Sequence, residues 1–344
     1  MSYKGISDLR SDTVTRPTGE MRKAMYDAEV GDDVHHDDPT VNKLEELAAE
    51  KIGKQAALFV PSGTMGNTIA MIVGAEPGRE VIMEEKCHIL NFEMGNVCRL
   101  AQAVPRALPS ERGKIPLDVI EKNIHVALRE HMTQTTALTL ENTHNILGGA
   151  VLKLDYIKEV AALAKKYNLY MHLDGARVFN AAVALNIDVK EITQYFDSVM
   201  FCLSKGLSAP VGSILAGTKE FIEEARFTRK FLGGGMRQAG IIAAAGIVAI
   251  EKMIDRLADD HRRLRQLAEQ IADLPGIEVN PNEVETNIMM VKLATMNSDT
   301  FLKKLAERKV WALPLNDETV RIVTHKDIDD NDIERAINAI REIV

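Results

Sequence analysis

Several apolar runs in this chain stop abruptly at polar or charged residues, and that pattern predicts the architecture. Val199-Met-Phe-Cys-Leu203 has no polar position on either face, as in a strand buried on both sides, and it ends at Ser204-Lys205-Gly206. Asn168-Leu-Tyr-Met-His-Leu173 runs in the same way into Asp174-Gly-Ala-Arg177. Ala56-Ala-Leu-Phe-Val60 precedes Pro61-Ser-Gly-Thr-Met-Gly-Asn67 and a helical pattern through Ile72. Val81-Ile-Met-Glu84 starts a short strand, and Ala137-Leu-Thr-Leu140 leads into the polar Glu141-Asn-Thr-His144. In an open α/β sheet ligands bind at the carboxyl ends of strands, so Asp174, Lys205 and the Glu141–His144 loop are expected at one rim.

The flanking segments read differently. Leu9-Arg-Ser-Asp-Thr-Val-Thr-Arg-Pro-Thr18 is polar and extended in character, so residues 1–20 are expected to form an N-terminal arm before a helix carrying Met21 and Met25. Asp38-Pro39 is a ready helix start for Thr40–Lys51. That reading is preferred over a metal site for His35 and His36, which as neighbours point apart. A helical region from Gln238 to Asp273 ends at Pro275-Gly276. Strand-like Ile277–Val279, Asn287–Leu293, Val310–Leu313 and Thr319–Thr324 follow, then a helix from Asn331. The expected division is an arm at 1–20, a large domain at 21–250 and a small domain at 251–344. No internal repeat is found.

Composition narrows the class. The chain has 344 residues, 46% hydrophobic and 27% charged, which is enough for two domains with substantial cores. A formal charge of -8 without a basic patch speaks against nucleic acid and anionic membranes and in favour of a small-molecule substrate. Three cysteines, Cys87, Cys98 and Cys202, show neither disulfide nor metal-ligand spacing. The longest apolar run, Ala239 to Ile250, is shorter than the roughly 20 residues of a membrane span, and the N-terminus lacks the apolar core of a signal peptide; a cytoplasmic protein is expected.

The candidate chemistry centres on Lys205. Beside an apolar floor an ammonium loses hydration, and a neutral amine can attack a carbonyl. A lysine for an aldehyde and an acid for a ring nitrogen are what pyridoxal phosphate requires, and Asp174 supplies the acid. Its phosphate needs a cradle. Ser62, Gly63 and Thr64 open a helix, where unpaired N–H groups and the helix dipole favour an anion. His88, just past the Val81 strand, stands where an imidazole could cover a planar ring near a substrate proton. Taken singly, each of these residues is as readily an ordinary surface lysine, a helix cap or a structural histidine. His125 and His144 raise the same question.

Six ordered motifs resemble the landmarks of the low-specificity L-threonine aldolases. They are Leu9-Arg-Ser-Asp-Thr-Val-Thr, Val60-Pro-Ser-Gly-Thr-Met, Glu141-Asn-Thr-His-Asn, Leu173-Asp-Gly-Ala-Arg, Cys202-Leu-Ser-Lys-Gly and Gly233-Gly-Gly-Met-Arg-Gln238. The likeness runs from residue 9 to the stretch starting at Arg321. It implies a fold-type I pyridoxal-phosphate enzyme with a large doubly wound, mainly parallel sheet domain, a smaller C-terminal α/β domain, and active sites at a subunit interface of a homo-oligomer, a tetramer built as a dimer of dimers. By the same likeness Lys205 would hold the cofactor, Asp174 would pair with its pyridinium, Ser62, Gly63 and Thr64 would hold its phosphate, and His88 would stack on its ring. Ser11, Arg177 and Arg321 would grip the substrate carboxylate, with Arg177 also near the cofactor. Arg237 would reach a neighbouring subunit's phosphate, and His125 would lie near the substrate hydroxyl as a catalytic candidate beside Lys205 and His88.

The residues themselves support part of this. In Glu318–Thr324 a period of two puts Arg321 on the face opposite Val320 and Ile322. Two departures stand out: His35-His36 where the family usually has Tyr-Gly, and Phe92, without a hydroxyl, near His88. The expected reaction is reversible cleavage of L-threonine or L-allo-threonine to glycine and acetaldehyde. The rivals are a β-eliminating lyase giving pyruvate and ammonia, and a non-catalytic cofactor-binding or scaffold protein.

Overall fold

The computed structural model describes residues 5–344, and the expected arm's residues 1–4 lie outside the described residues. From Ser7 onward the arm is stitched into the molecule. Ser7–Asp8 (β1) pairs in parallel with Val310–Trp311, Leu9 is fully buried among C-terminal residues, and its carbonyl accepts from Val323 N at 2.9 Å. Thr18 then caps the helix Gly19–Asp27, whose buried Met21 joins the larger core.

The strands Ala56–Val60 (β2), Glu80–Glu84 (β3), Val104–Leu108 (β4), Thr135–Glu141 (β5), Tyr170–Asp174 (β6), Ser198–Cys202 (β7) and Ser213–Gly217 (β8) form one seven-stranded sheet in the order β2-β8-β7-β6-β5-β3-β4. β8 is antiparallel to both neighbours, and the pairs among β3 to β7 are parallel. The cause is the connection. Parallel strands need a crossover of a dozen or more residues, and the link 203–212 is too short for one, so β8 returns directly. Every residue of β3 and β7 is buried, which is why these stretches show no alternation. β8 and the edge strand β4 were not read from the sequence; β4, at Val-Pro-Arg-Ala-Leu, is half exposed.

The second sheet is smaller and antiparallel. Ile277–Glu278 (β9), Ile288–Leu293 (β10), Leu313–Asn316 (β12) and Thr319–Val323 (β13) order as β12-β13-β10-β9, while Val310–Trp311 (β11) holds β1. Helices Leu257–Ile271, Ser298–Glu307 and Asp330–Arg341 cover it, burying Leu264, Ile271, Phe301, Ile333 and Ile340 in one core. The helical region expected from Gln238 to Asp273 is two helices, Gly240–Lys252 and Leu257–Ile271. Met253-Ile-Asp-Arg256 between them contains neither proline nor glycine. The break falls instead where the buried face changes cores, since Ile250 and Leu257 pack with the large sheet and Leu264 with the small one. We place the domain boundary in this link, a few residues beyond the expected division at 250.

Helix Pro39–Ile52 starts as the sequence predicts. Asp38 Oδ1 accepts from Thr40 N at 3.1 Å and Val41 N at 3.0 Å, while Oδ2 accepts from Gly240 N at 2.8 Å, so one buried carboxylate caps two helices. Asp38→Ala is expected to cost about 2 kcal/mol, the upper end for a lost cap, because three N–H groups, those of Val41 and Gly240 buried, lose their acceptor. A urea unfolding midpoint unchanged from the parent would contradict this.

Candidate active site

The parallel strands all deliver their carboxyl ends to one edge, where Glu141 of β5 is in register with Asp174 of β6, and Asp174 with Met200 of β7. Lys205 follows β7 three residues on. Next to β7 lies the start of the helix Gly63–Gly74, whose cap Ser62 accepts from Met65 N at 3.2 Å. Small residues make that approach possible. A Cβ on Gly63 would stand 3.0 Å from Cys202 Sγ, and one on Gly66 only 2.7 Å from Met200 Cγ. The N–H groups of Gly63 and Thr64 are first-turn donors that no carbonyl of the helix reaches, an anion-binding arrangement in a helix of three turns.

Asp174 is buried and held on both oxygens: Ala176 N donates to Oδ1 at 3.1 Å and Asn67 Nδ2 to Oδ2 at 2.9 Å. Asn67 Nδ2 also donates to Glu93 Oε1 at 2.8 Å, and that same oxygen lies 2.9 Å from His88 Nδ1. His88, Glu93 and Asp174 present donor and acceptor atoms within 4.8 Å of one another. Burial opposes a charge on His88, but the hydrogen bond to Glu93 and the carboxylate of Asp174 outweigh it and raise its pKa above the ordinary histidine value. Burial also raises Glu93.

A second cluster joins the arm to both sheets. Arg177, after β6, is paired bidentately with Asp12: Nε donates to Oδ2 and Nη2 to Oδ1, both at 2.7 Å, with the two side chains 4% and 0% exposed. Arg177 Nη1 is 3.5 Å from Asn145 Oδ1, which also accepts from Arg321 Nη2 at 3.0 Å. Glu141 fixes this corner, accepting from His88 N at 2.7 Å and Asn145 N at 2.8 Å. Burial opposes a charge on Asp12, yet Arg177, with Lys205 and Arg321 nearby, holds its carboxyl far below the usual range. Burial, then repulsion from Arg177, brings Arg321 down to about 10, so it remains a cation at neutral pH; its buried Nε has no partner among the described residues.

The arm closes the floor. Ser11 accepts from Thr13 N at 3.2 Å and Thr13 Oγ1 at 2.8 Å, capping the turn Asp12–Val14, and Thr15 Oγ1 donates to the Lys205 carbonyl at 3.0 Å. Lys205, Asp174, His88, Ser11, Arg177 and Arg321 therefore stand on elements that converge at one edge, beside the helix start at Ser62, Gly63 and Thr64. Two expected residues do not join them within the chain. His125 lies at the opposite edge of the sheet, its Nδ1 2.9 Å from Glu80 at the beginning of β3 and its carbonyl accepting from Thr135 N at the beginning of β5. Arg237, 62% exposed, pairs with Asp32 Oδ2 at 2.9 Å on an outer surface. Arg177 carries Asp12 on its Nε and Nη2, which leaves Nη1 on the side of Arg321 and Asn145. His144 is a buried strand-end residue on Glu84 Oε2 at 2.9 Å.

Sequence reasoning missed Asp12, Asn67, Glu93 and Asn145. Asp12 and Asn145 sit inside quoted motifs, so their signal was present without a role. Asn67 likewise closes the quoted Pro61–Asn67 stretch without a role, and Glu93 looks like a surface acid until its partners are placed.

An amine after one strand, a carboxylate after its neighbour and a glycine-led helix start beside them fit pyridoxal phosphate: the donors match its aldehyde, ring nitrogen and phosphate. Arg321 Nε remains for an anion alongside. The fold and this site define a fold-type I pyridoxal-phosphate enzyme. The β-eliminating lyase family model matches residues 8–295. Low-specificity L-threonine aldolase 1 of Arabidopsis thaliana is 42% identical over 341 residues, covering 97% of this chain and 95% of its own. The low specificity L-threonine aldolase of Escherichia coli K12 is 44% identical, covering 93% and 94%. The structure of Leishmania major threonine aldolase, at 19% identity, shares the fold with a TM-score of 0.83 over 97% of this chain and 98% of its own. The chain belongs to the β-eliminating lyase family and, within it, to the low-specificity L-threonine aldolases.

Replacing one member of a buried ion pair leaves the other uncompensated. Asp12→Asn is expected to destabilise the protein by about 3–5 kcal/mol at neutral pH. Because the folded pKa of Asp12 is depressed, its contribution is complete above the unfolded value of about 4 and fades as the pH falls below it. Denaturation of parent and variant across pH 3 to 7, as an approximate range, should show the gap closing at the acid end; a gap independent of pH would refute the assignment.

Proposed function

We propose that this protein cleaves the Cα–Cβ bond of L-threonine and L-allo-threonine, giving glycine and acetaldehyde, reversibly and with tolerance for other β-hydroxy-α-amino acids. The observation that carries the reading is the convergence of Asp174, Lys205, His88 and the Arg321–Asn145 corner on one sheet edge, in a chain 42–44% identical over nearly its whole length to named threonine aldolases.

Pyridoxal phosphate, when bound, supplies an electron sink for the pair released as the Cα–Cβ bond breaks. Lys205 provides the amine that holds it, and Asp174, which accepts hydrogen bonds from Asn67 Nδ2 and Ala176 N, provides the acid for its ring nitrogen. Ser62, Gly63 and Thr64 offer donors to its phosphate. Arg321 takes the substrate carboxylate, with Ser11 and the remaining Nη1 of Arg177 beside it, so that the amino acid is oriented from one side. His88 has Nδ1 committed to Glu93 and keeps Nε2 for the β-hydroxyl proton. Phe92, its ring centroid 5.6 Å from that of His88 and half exposed, sets an apolar boundary for the β-substituent and supports the broad range.

Assembly as a tetramer, a dimer of dimers, belongs to the same proposal, with Arg237 reaching a neighbour's phosphate. Phe227 and Phe231, 74% and 80% exposed on the helix Lys219–Phe231, and the outward Arg237 support a second copy seated over that face. His125 acts at this site only if such an assembly brings it there. No helix among the described residues is long and apolar enough to cross a membrane; a cytoplasmic setting is part of the proposal.

Incubating the purified protein with L-threonine and pyridoxal phosphate should yield acetaldehyde and glycine in equal amounts. Pyruvate in place of acetaldehyde would establish β-elimination, and neither product a scaffold. Lys205→Ala should bring turnover below detection without lowering the thermal midpoint, and full activity in that variant would remove the lysine from the mechanism. Arg321→Ala should raise KM for L-threonine roughly 10- to 100-fold, equivalent to about 1.5–3 kcal/mol for a charged hydrogen bond. An unchanged KM would return the carboxylate to Arg177.

A further inference from the structure

Glu93 is a carboxylate with 1% exposure, at a depth where an acid is costly unless it is paired. Its partner is reached by an unusual route. Residues five apart on a continuous helix diverge by roughly 140°, yet His88 and Glu93 meet. The helix His88–Asn91 stops after one turn, and Met94 and Gly95, at φ 55° and 70°, reverse the chain just beyond it.

The hydrogen-bond inventory fixes the protons around this carboxylate. Asn67 Nδ2 faces Glu93 Oε1 at 2.8 Å and Asp174 Oδ2 at 2.9 Å, and a flipped amide would set its oxygen against both acids. Its two hydrogens are therefore spent on the two carboxylates, and Oδ1 accepts, from His172 Nε2 at 3.0 Å. His172 is neutral, its pKa pulled down to about 4 by burial, so its Nδ1 accepts from Ser198 Oγ at 2.7 Å. Ser198 in turn accepts from the hydroxyl of Tyr170. Every proton in this buried row points toward the two acids. With one Asn67 hydrogen already on Glu93 Oε1, the atom 2.9 Å away on His88 is bound as a donor, Nδ1–H.

We propose that Glu93 is a positioning residue of the active site: it holds His88 by its Nδ1–H, so that Nε2 is the nitrogen that exchanges the proton of the substrate's β-hydroxyl. The inference rests on the aldolase reading above for the identity of that proton. Glu93 acts through His88 and through Asn67, which couples it to Asp174. The charged groups facing His88 are Glu93 from its own segment, Asp174 from β6, Lys205 from beyond β7, and Glu141 of β5 at its backbone N–H. Of these, only Glu93 hydrogen-bonds the ring.

Glu93→Gln keeps the size and one acceptor oxygen but removes the charge. Titration of His88 is read from hydrogen–deuterium exchange at its imidazole C2, followed by mass spectrometry of the peptide that carries it, with the holoenzyme and without substrate. The expected result is a His88 midpoint lowered by ~1 unit, with the acid limb of the kcat/KM profile moved down by the same amount, kcat reduced ~10- to 100-fold, and KM within ~2-fold of the parent. A His88 midpoint unchanged in Glu93→Gln overturns the proposal even if activity falls, because Glu93 would then be a structural acid. Should the parent itself release no acetaldehyde, the aldolase reading fails alone, and the C2 exchange still decides whether Glu93 governs His88.

Discussion

The constraint on which the site depends is the buried ion pair between Asp12 and Arg177. Desolvating two charges costs several kcal/mol per ion, and the cost is offset only where the geometry is good and the remaining polar atoms are satisfied. Here it is bidentate, and Asn287 Nδ2 adds a third donor to Asp12 Oδ2 at 3.2 Å. Asp12 comes from the arm, Arg177 from the end of β6 and Asn287 from the start of the small sheet. One pair of charges thus ties three distant stretches of chain. Asn287 also donates to the Thr324 carbonyl at 3.1 Å and meets Asn180, which contacts His261 on the first helix of the small domain. The small sheet is held where Arg321 can face Asn145.

That constraint explains why some of the molecule was legible in the sequence and some was not. The strands β3, β6 and β7 announced themselves because burial on both faces demands an unbroken apolar run, and Asp38-Pro39 and Ser62-Gly63 announced helix starts because unpaired N–H groups need a cap. Lys205 and Asp174 followed from the rule that strand ends carry ligands. Pairing was the hidden part. Nothing in Leu9-Arg-Ser-Asp says that Asp12 takes the favoured edge of Arg177, and nothing around His125 says that its strand connection returns it to the starting edge of the sheet. Those facts depend on contacts that sequence distance hides, such as the 165 residues between Asp12 and Arg177. The break between Gly240–Lys252 and Leu257–Ile271 was invisible for a related reason, since it marks a change of packing partner.

The two polar networks divide the labour of the site. Around Asp12 and Arg177 the charges are opposite and adjacent, so each stabilises the ionised form of the other, and the result is rigidity. Around Asn67 two acids, Asp174 and Glu93, share a single amide, and burial together with the neighbouring Asp174 raises the pKa of Glu93. His88, on Glu93 Oε1 at 2.9 Å, is the basic group on that side. His88 and Glu93 there both carry raised pKa values, as the proposed proton exchange with a substrate needs, whereas the first network stays fixed across the neutral range.

This division bears on how one fold serves more than one reaction. The sheet edge brings an amine and an acid together whatever bond is to be broken; the bond is selected by how the amino acid is turned above them. In the proposed reading the turning group is a cation on β13, Arg321, in register with Met290 of β10 and hydrogen-bonded to Asn145 of the large domain. Asn145 is held in turn by Glu141, whose other oxygen holds the backbone of His88. On that reading the groups proposed for the carboxylate end and the hydroxyl end of the substrate are both tied to the same acid at the end of β5. A shift of the small sheet that moved Arg321 would act on the proposed carboxylate contact alone, whereas Glu141 holds both the His88 backbone and Asn145, so a change there would act on both proposed contacts at once.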